Sequence, residues 1–290
     1  MIGGSITALV TPFKDNAVDE DKFAQIIEHQ FINGTRGVVP VGTTGESATM
    51  DLAERKRVVA LCVEIVAGRM SVIAGTGTND TAAVIELQKD AKAVGADASL
   101  VVAPYYNKPS QAGIIAHFEA IANAVELPIV LYNVPGRTIV DMSVDTVAHL
   151  SQHPNIIAIK DATGEVERVT QHLRRVPSDF ILLSGDDGSA LGFNAHGGHG
   201  MISVTSNVAP SLCAQYQEAS LKGDFVRARE INARLQTLNE AMFCEPSPAP
   251  VKYALSLLGL CGPEARLPII PLSDSAKARV EAAMKVCGLL

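Results

Sequence analysis

The chain has no excess of basic residues: 24 Lys and Arg stand against 31 Asp and Glu, a formal charge of −7. A surface so balanced has little with which to neutralise phosphates, so nucleic acid is not expected as a partner. CxxC pairs are also missing. The five cysteines, Cys62, Cys213, Cys244, Cys261 and Cys287, are odd in number and far apart, which excludes a zinc knuckle or a disulfide framework and reads as reduced thiols. Nowhere does an apolar run approach the ~18 residues that cross a bilayer, and the opening MIGGSITALVTPFKDN has no cationic leader before its apolar stretch. Low-complexity segments are missing too. What remains is 290 residues, 47% hydrophobic and only 19% charged. That is enough for one large domain or two ordinary ones around a buried core, and too apolar for a disordered chain. A soluble, cytoplasmic globular protein is expected, with no membrane association.

Short runs rich in Val, Ile, Leu and Ala recur at Ile6–Val10, Gly37–Val41, Val72–Gly75, Ser99–Ala103, Ile129–Tyr132, Ile156–Lys160, Phe180–Ser184 and Gly200–Val204. Each is apolar on both faces, as strands of a covered parallel sheet are. Between them lie segments of helical spacing, such as Asp21–Ile32, Leu52–Ala67, Thr81–Ala93 and Gln111–Ala124. Strict alternation means α/β. No GxGxxG follows the first run, which counts against a dinucleotide-binding open sheet and favours a closed (β/α)8 TIM barrel, with its site at the carboxyl ends of the strands. The last barrel helix is expected at Pro210–Leu221, so residues 1–223 read as the barrel. Residues 224–290 read as a C-terminal helical extension, with helices at Phe225–Met242, Val251–Leu258 and Ser273–Cys287 and a break at EPSPAP, Glu245–Pro250.

Of the eleven lysines, ten fall in helical or loop stretches where the ammonium can reach water. Lys160 instead closes the apolar run Asn155-Ile156-Ile157-Ala158-Ile159, at the end of a central strand. Desolvation disfavours a charged amine, and a neutral amine adds to carbonyl groups, giving an iminium and then an enamine. The competing reading is a structural ion pair with Asp161 or another carboxylate. Strand alternation opposes the first of these, because adjacent residues point to opposite faces.

Other strand ends carry apt groups. YNVPGRT places Tyr132 at a strand end as a proton relay and Arg137 five residues on as a fork for a carboxylate, the bland alternative being a loop ion pair. GTTGES, Gly42–Ser47, offers hydroxyls and amides suited to a carboxylate or phosphate; its bland reading is a helix cap at Ser47 or Asp51 with Glu54 behind it. Tyr105-Tyr106 and the SGDD stretch at Ser184–Asp187 add candidates at the same rim.

With these residues the chain resembles the dihydrodipicolinate synthase (4-hydroxy-tetrahydrodipicolinate synthase) family of pyruvate-dependent class I aldolases, related to N-acetylneuraminate lyase. The likeness runs nearly end to end, through TALVTPF, GTTGES, VIAGTGTN, APYYNKPSQ, YNVPGRT, IKDATG, LLSGDD, GGHGMISV and EPSPAPVK. It implies that Lys160 forms a Schiff base with pyruvate, that Tyr132 and Thr43 relay protons, and that Tyr106 completes the relay from a neighbouring subunit. It further implies that Thr44 holds the pyruvate carboxylate, that Gly185 and Ile202 line the pocket, and that Arg137 binds the second substrate, L-aspartate-4-semialdehyde. The product would lead toward diaminopimelate and lysine. The implied assembly is a homotetramer, a dimer of dimers, and no metal or cofactor is implied. Ser47, Ala48, Asn79 and Tyr105 match the pocket at which lysine inhibits members of the family. Leu52, Arg55 and Ala83 stand where such members carry histidines and a glutamate, so lysine inhibition is expected to be weak or absent.

Three other readings compete. Another pyruvate-dependent aldolase, such as a sialic-acid or keto-sugar-acid lyase, would share the lysine, but the sialic-acid lyases lack an arginine at the place of Arg137. A metal-dependent aldolase would need a ligand cluster, and the one suggestive pair, His196 and His199 in AHGGHG, has no third ligand at convincing spacing and reads as hydrogen-bonded structure. A non-catalytic metabolite-binding barrel is opposed by the intact set of lysine, tyrosine and threonine.

Overall fold

A computed structural model describes residues 2–290. Eight parallel strands close into a barrel: β1 (Gly4–Ala8), β2 (Gly37–Val39), β3 (Ser71–Gly75), β4 (Ala98–Val102), β5 (Ile129–Asn133), β6 (Ile156–Asp161), β7 (Ile181–Ser184) and β8 (Gly200–Ser203). Closure comes from β1 pairing on both sides, Gly4 with Gly200 and Ile6 with Gly37. The expected (β/α)8 barrel is therefore the fold. The helices between the strands are α1 (Glu20–Ile32), α2 (Leu52–Val66), α3 (Thr81–Ala93), α4 (Gln111–Ala124), α5 (Val144–Leu150), α6 (Glu167–Leu173), α7 (Ala190–Ala195) and α8 (Pro210–Leu221). Beyond them lie α9 (Phe225–Ala241), α10 (Ala249–Leu257) and α11 (Asp274–Val286).

Local chemistry sets where these helices start. The side chains of Asp19, Asp80, Ser110, Ser143, Asp224 and Ser273 each accept a backbone N–H of the first turn that follows. Asp51 and Glu54 form a reciprocal capping box on α2. α10 begins inside the expected EPSPAP break, with Pro250 in its first turn, where a missing N–H costs nothing because that donor has no helical partner anyway.

Strand residues divide between two apolar layers. Ile6, Val39, Ile73, Leu100, Val130, Ala158, Leu183 and Ile202 fill the barrel interior. Val101, Ile129, Leu131, Ile156, Ile159 and Leu182 face outward onto Ile114 and Phe118 of α4 and Val147 of α5. Each large side chain buried in these layers stabilises the fold by about 1.5–3 kcal/mol. A third cluster joins the first strands and α1 to α8, α9, α10 and α11.

Two departures from the sequence reading sit near the strand ends. β2 stops at Val39, and Val41, expected inside the strand, takes φ 47° in the left-handed region. Its carbonyl presses on Gly75, where a Cβ would lie 2.3 Å from that oxygen; only glycine permits the approach. In β6, Ile156 pairs with Ile129 but Ala158 pairs with Val130, so Ile157 is surplus, a β-bulge. Ile157 and Ala158 both pack on the interior cluster.

Candidate functional site

Because of that bulge, alternation resumes with Ile159 outward and Lys160 inward, directly opposite Tyr132 on β5. The Lys160 side chain is only 5% exposed and its Nζ lies 4.2 Å from the centre of the Tyr132 ring. Such a contact favours a cation only modestly. Among the described residues no carboxylate lies within 4.0 Å of this ammonium. Gly185, after β7, makes room for the side chain: a Cβ there would meet Lys160 Cε at 3.0 Å.

Asp161 points the other way. Its carboxylate accepts from Arg168 Nε at 2.9 Å and from the Thr163 amide at 3.0 Å. Arg168 in turn donates to Asp141 and to the Met142 carbonyl. Burial disfavours the Asp161 charge, yet the His172 ring 3.8 Å away and the adjacent guanidinium hold the carboxyl below the usual carboxylate range. The structural pairing of Lys160 with Asp161 is thereby excluded.

The loop after β5 is fixed from beneath. Asn133 donates to Asp141 at 2.7 Å and accepts from the Met142 amide at 3.0 Å. Above it Pro135–Thr138 forms one helical turn, locked by the Thr138 hydroxyl on the Val140 carbonyl at 2.7 Å. Arg137 projects from this turn, exposed, and among the described residues it has no carboxylate partner. Ile139 ends the turn at φ 63°, 72% exposed.

In GTTGES, Thr44 is buried while Thr43 is exposed. The loop is tied down on both sides: the Gly45 carbonyl accepts from Thr11 Oγ1 at 2.7 Å, and Glu46, buried at φ 56°, pairs with Lys252 of α10. Glu46 also accepts from the Arg266 amide at 2.9 Å, and Lys252 donates to the Glu264 carbonyl at 2.7 Å. Lys252 Nζ and the Arg266 guanidinium each stand 4.2 Å from the centre of the Phe13 ring. The sequence reading that every lysine but Lys160 reaches water is corrected here: Lys252 is fully buried. Its position offered a signal, since it shares the apolar stripe of Val251, Ala254 and Leu255. The bland reading of the loop is also met, because Asp51 and Glu54 cap α2, whereas Ser47 does not.

A cavity of about 190 Å³ opens over these residues, lined by Thr43, Ser47, Ala48, Arg55, Tyr105 and Arg137 among others. A smaller one of about 40 Å³ continues inward, sharing Thr43 and Ser47 and reaching Tyr132. The structure thus gathers Lys160, Tyr132, Gly185, Thr43 and Arg137 at one end of the barrel. Ile202, 1% exposed, belongs to the interior cluster. Tyr106 is not brought in: it is 90% exposed, with φ 72°. Asn79 is tied to the Tyr106 loop through its carbonyl, which accepts from Asn107 Nδ2 at 2.9 Å. Leu52 is exposed. His199 accepts from the Leu182 amide and His196 shares a hydrogen bond with Thr170. The burial of Glu46 beneath the site was missed in the sequence, where it is one polar residue in a polar loop.

Comparison with known proteins follows the same lines. The profile of the Dihydrodipicolinate synthetase family matches residues 1–287. A curated 4-hydroxy-tetrahydrodipicolinate synthase of Hyphomonas neptunium is 57% identical over 291 residues, covering 100% of this chain and 99% of the relative. One from Parvibaculum lavamentivorans is 54% identical and covers 100% of both chains. Among solved structures, a dihydrodipicolinate synthase of Acinetobacter baumannii complexed with pyruvate superposes with a TM-score of 0.98, at 43% identity and 100% coverage of both chains. The Aquifex aeolicus enzyme gives a TM-score of 0.97, 43% identity and 99% coverage of both. A buried, unpaired amine at a strand end, a tyrosine beside it and end-to-end likeness agree: the chain belongs to the dihydrodipicolinate synthase family.

Proposed function

We propose that the chain condenses pyruvate with L-aspartate-4-semialdehyde, the activity for which its curated relatives are named, and that Lys160 is the residue forming the Schiff base. The observation carrying this reading is the Lys160 amine, enclosed at the carboxyl end of β6, facing Tyr132 and unpaired with any carboxylate among the described residues.

The chemistry follows from the groups. The neutral amine adds to the keto carbon of pyruvate, and loss of water gives an imine; its electron-withdrawing nitrogen lets the methyl carbon release a proton to form an enamine. That carbon attacks the aldehyde of the semialdehyde, whose oxygen takes up a proton. The substrate's own amino group then adds to the imine carbon and expels Lys160, closing the ring. One water is lost overall. Tyr132 and Thr43 stand where protons must move, with the exposed phenol of Tyr106 suited to enter from a second copy of the chain. Thr44, with its backbone N–H, serves the pyruvate carboxylate. Gly185 and Ile202 shape the floor, and Arg137 at the mouth holds the semialdehyde carboxylate through a bidentate fork.

The assembly that fits this reading is a homotetramer, a dimer of dimers, working in the cytoplasm on the way to diaminopimelate and lysine. Among the described residues no helix is long and apolar enough to cross a membrane. Pyruvate with sodium borohydride tests the assignment: reduction should fix a pyruvate-derived adduct on the peptide containing Lys160. Unmodified Lys160 after such treatment, or an adduct on another lysine, would overturn it.

A further inference from the structure

Lys160 and Tyr132 face into the barrel, so the residues one step on, Asp161 and Asn133, face outward into a layer that Ile129, Leu131 and Ile159 keep apolar on these two strands. Both polar residues are buried. A carboxylate and an amide in such a layer are costly unless their polar atoms are met. One side chain organises the response.

Arg168, itself buried on α6, spreads three nitrogens over three partners. Its Nε donates to Asp161 at 2.9 Å, its Nη1 to Asp141 at 3.2 Å and its Nη2 to the Met142 carbonyl at 2.7 Å. Asn133 closes the circuit, because it donates to Asp141 at 2.7 Å and accepts from the Met142 amide at 3.0 Å. The guanidinium thereby ties the end of β6 to the segment that grips the end of β5. Backbone bonds carry the tie further: the Ala162 amide donates to the Asn133 carbonyl at 2.9 Å, and the Gly185 amide to the Asp161 carbonyl at 2.7 Å. Gly185 is the residue against which the Lys160 side chain lies.

We propose that Arg168 is a positioning residue which, from outside the barrel, sets the Lys160 amine against Tyr132 and Gly185. The inference deepens the reading above and rests on Lys160 as the Schiff-base residue. Displacing reacting atoms by about 1 Å can lower a rate about 10²-fold, and the Asp161 peptide directly continues the Lys160 backbone. Lysine cannot stand in for Arg168, because one ammonium does not span three acceptors set around a fork.

The test separates positioning from support of the fold. Pyruvate is mixed with the whole protein, borohydride is added after set times, and adduct on the Lys160 peptide is measured by mass spectrometry well below the unfolding temperature of every variant. Arg168→Lys keeps a cation beside Asp161; it should fold normally by circular dichroism yet form the adduct roughly tenfold or more slowly at saturating pyruvate. Its crystal structure should show the Lys160 amine moved from its place 4.2 Å from the centre of the Tyr132 ring. Arg168→Met strands the Asp161 carboxylate, and adding Asp161→Leu removes that charge, so the urea midpoint should rise again while the adduct rate stays low. Three results would overturn the proposal: an adduct rate in Arg168→Lys equal to that of the unmodified protein, an unmoved amine, or a rate that recovers with the stability of the double variant. Each of these would leave the synthase reading standing. If the unmodified protein forms no adduct on Lys160, that reading falls and the proposal falls with it.

Discussion

Glu46 and Lys252 form a fully enclosed ion pair between the loop after β2 and the first turn of α10. The pair links the C-terminal helices to Thr43 and Thr44, three and two residues before Glu46. Removing one partner strands a charge in the interior. Lys252→Met should therefore cost about 3–5 kcal/mol in urea denaturation, and it should raise the KM for pyruvate through the loosened loop. The double variant with Glu46→Gln should recover much of the stability, because the stranded carboxylate is then gone as well.

Tyr132→Phe keeps the ring that faces Lys160 and removes only the phenol. As a proton relay, that hydroxyl should contribute about 10²–10⁴-fold to kcat. Borohydride trapping of pyruvate should slow without being abolished. Wild-type kcat in this variant would exclude Tyr132 from proton transfer.

Arg137→Leu should separate the two substrates. Loss of a charge-assisted bond worth about 1.5–3 kcal/mol raises the KM for semialdehyde about 10–100-fold, while the KM for pyruvate stays near the wild-type value. Equal effects on both would place Arg137 in the shared scaffold.

Ile139 holds a left-handed backbone conformation that a β-branched side chain tolerates poorly, at a cost of about 1–2 kcal/mol. Its side chain is 72% exposed, so little burial is lost on truncation. Ile139→Gly should raise Tm by about 1–3 °C after the entropy of glycine is counted. A fall in Tm would mean that the side chain is covered in the assembled protein.

His117 is 6% exposed, and burial pulls its pKa down to about 4, with Asp80 opposing weakly. The Thr81 hydroxyl lies 2.9 Å from its Nδ1. The folded state keeps the ring neutral, whereas the unfolded chain protonates it at about 6.5. Stability is thus whole above about pH 6.5 and declines as pH falls toward 4, by at most about 3 kcal/mol from this group. His117→Gln should flatten that part of the urea-midpoint profile between pH 7 and 4.5; an unchanged slope would assign it to other groups.

Much of this was legible in the sequence. Strands buried on both faces write themselves as short apolar runs, and a lysine closing one of them has nowhere polar to go, which is how Lys160, Tyr132 and the barrel emerged. The ends of the runs were less legible, because Val41 is as apolar as its strand neighbours yet turns left-handed out of the sheet, its carbonyl in the room that Gly75 leaves. Lys252 was harder still. A charged residue on a helix reads as solvated unless its place on the apolar face is weighed, and whether it finds a partner depends on segments far off in the chain, here Glu46.

The bulge that takes up Ile157 in β6 decides which of two neighbours faces the barrel interior. Counted from Ile156, which faces outward, an uninterrupted strand would deliver Asp161 to the interior and bury the amine among the helices. Deleting Ile157 would leave the inward amine where it is, whereas adding one residue between Ala158 and Lys160 would exchange amine for carboxylate and, on the role proposed for Lys160, silence the barrel without altering a single side chain of the site.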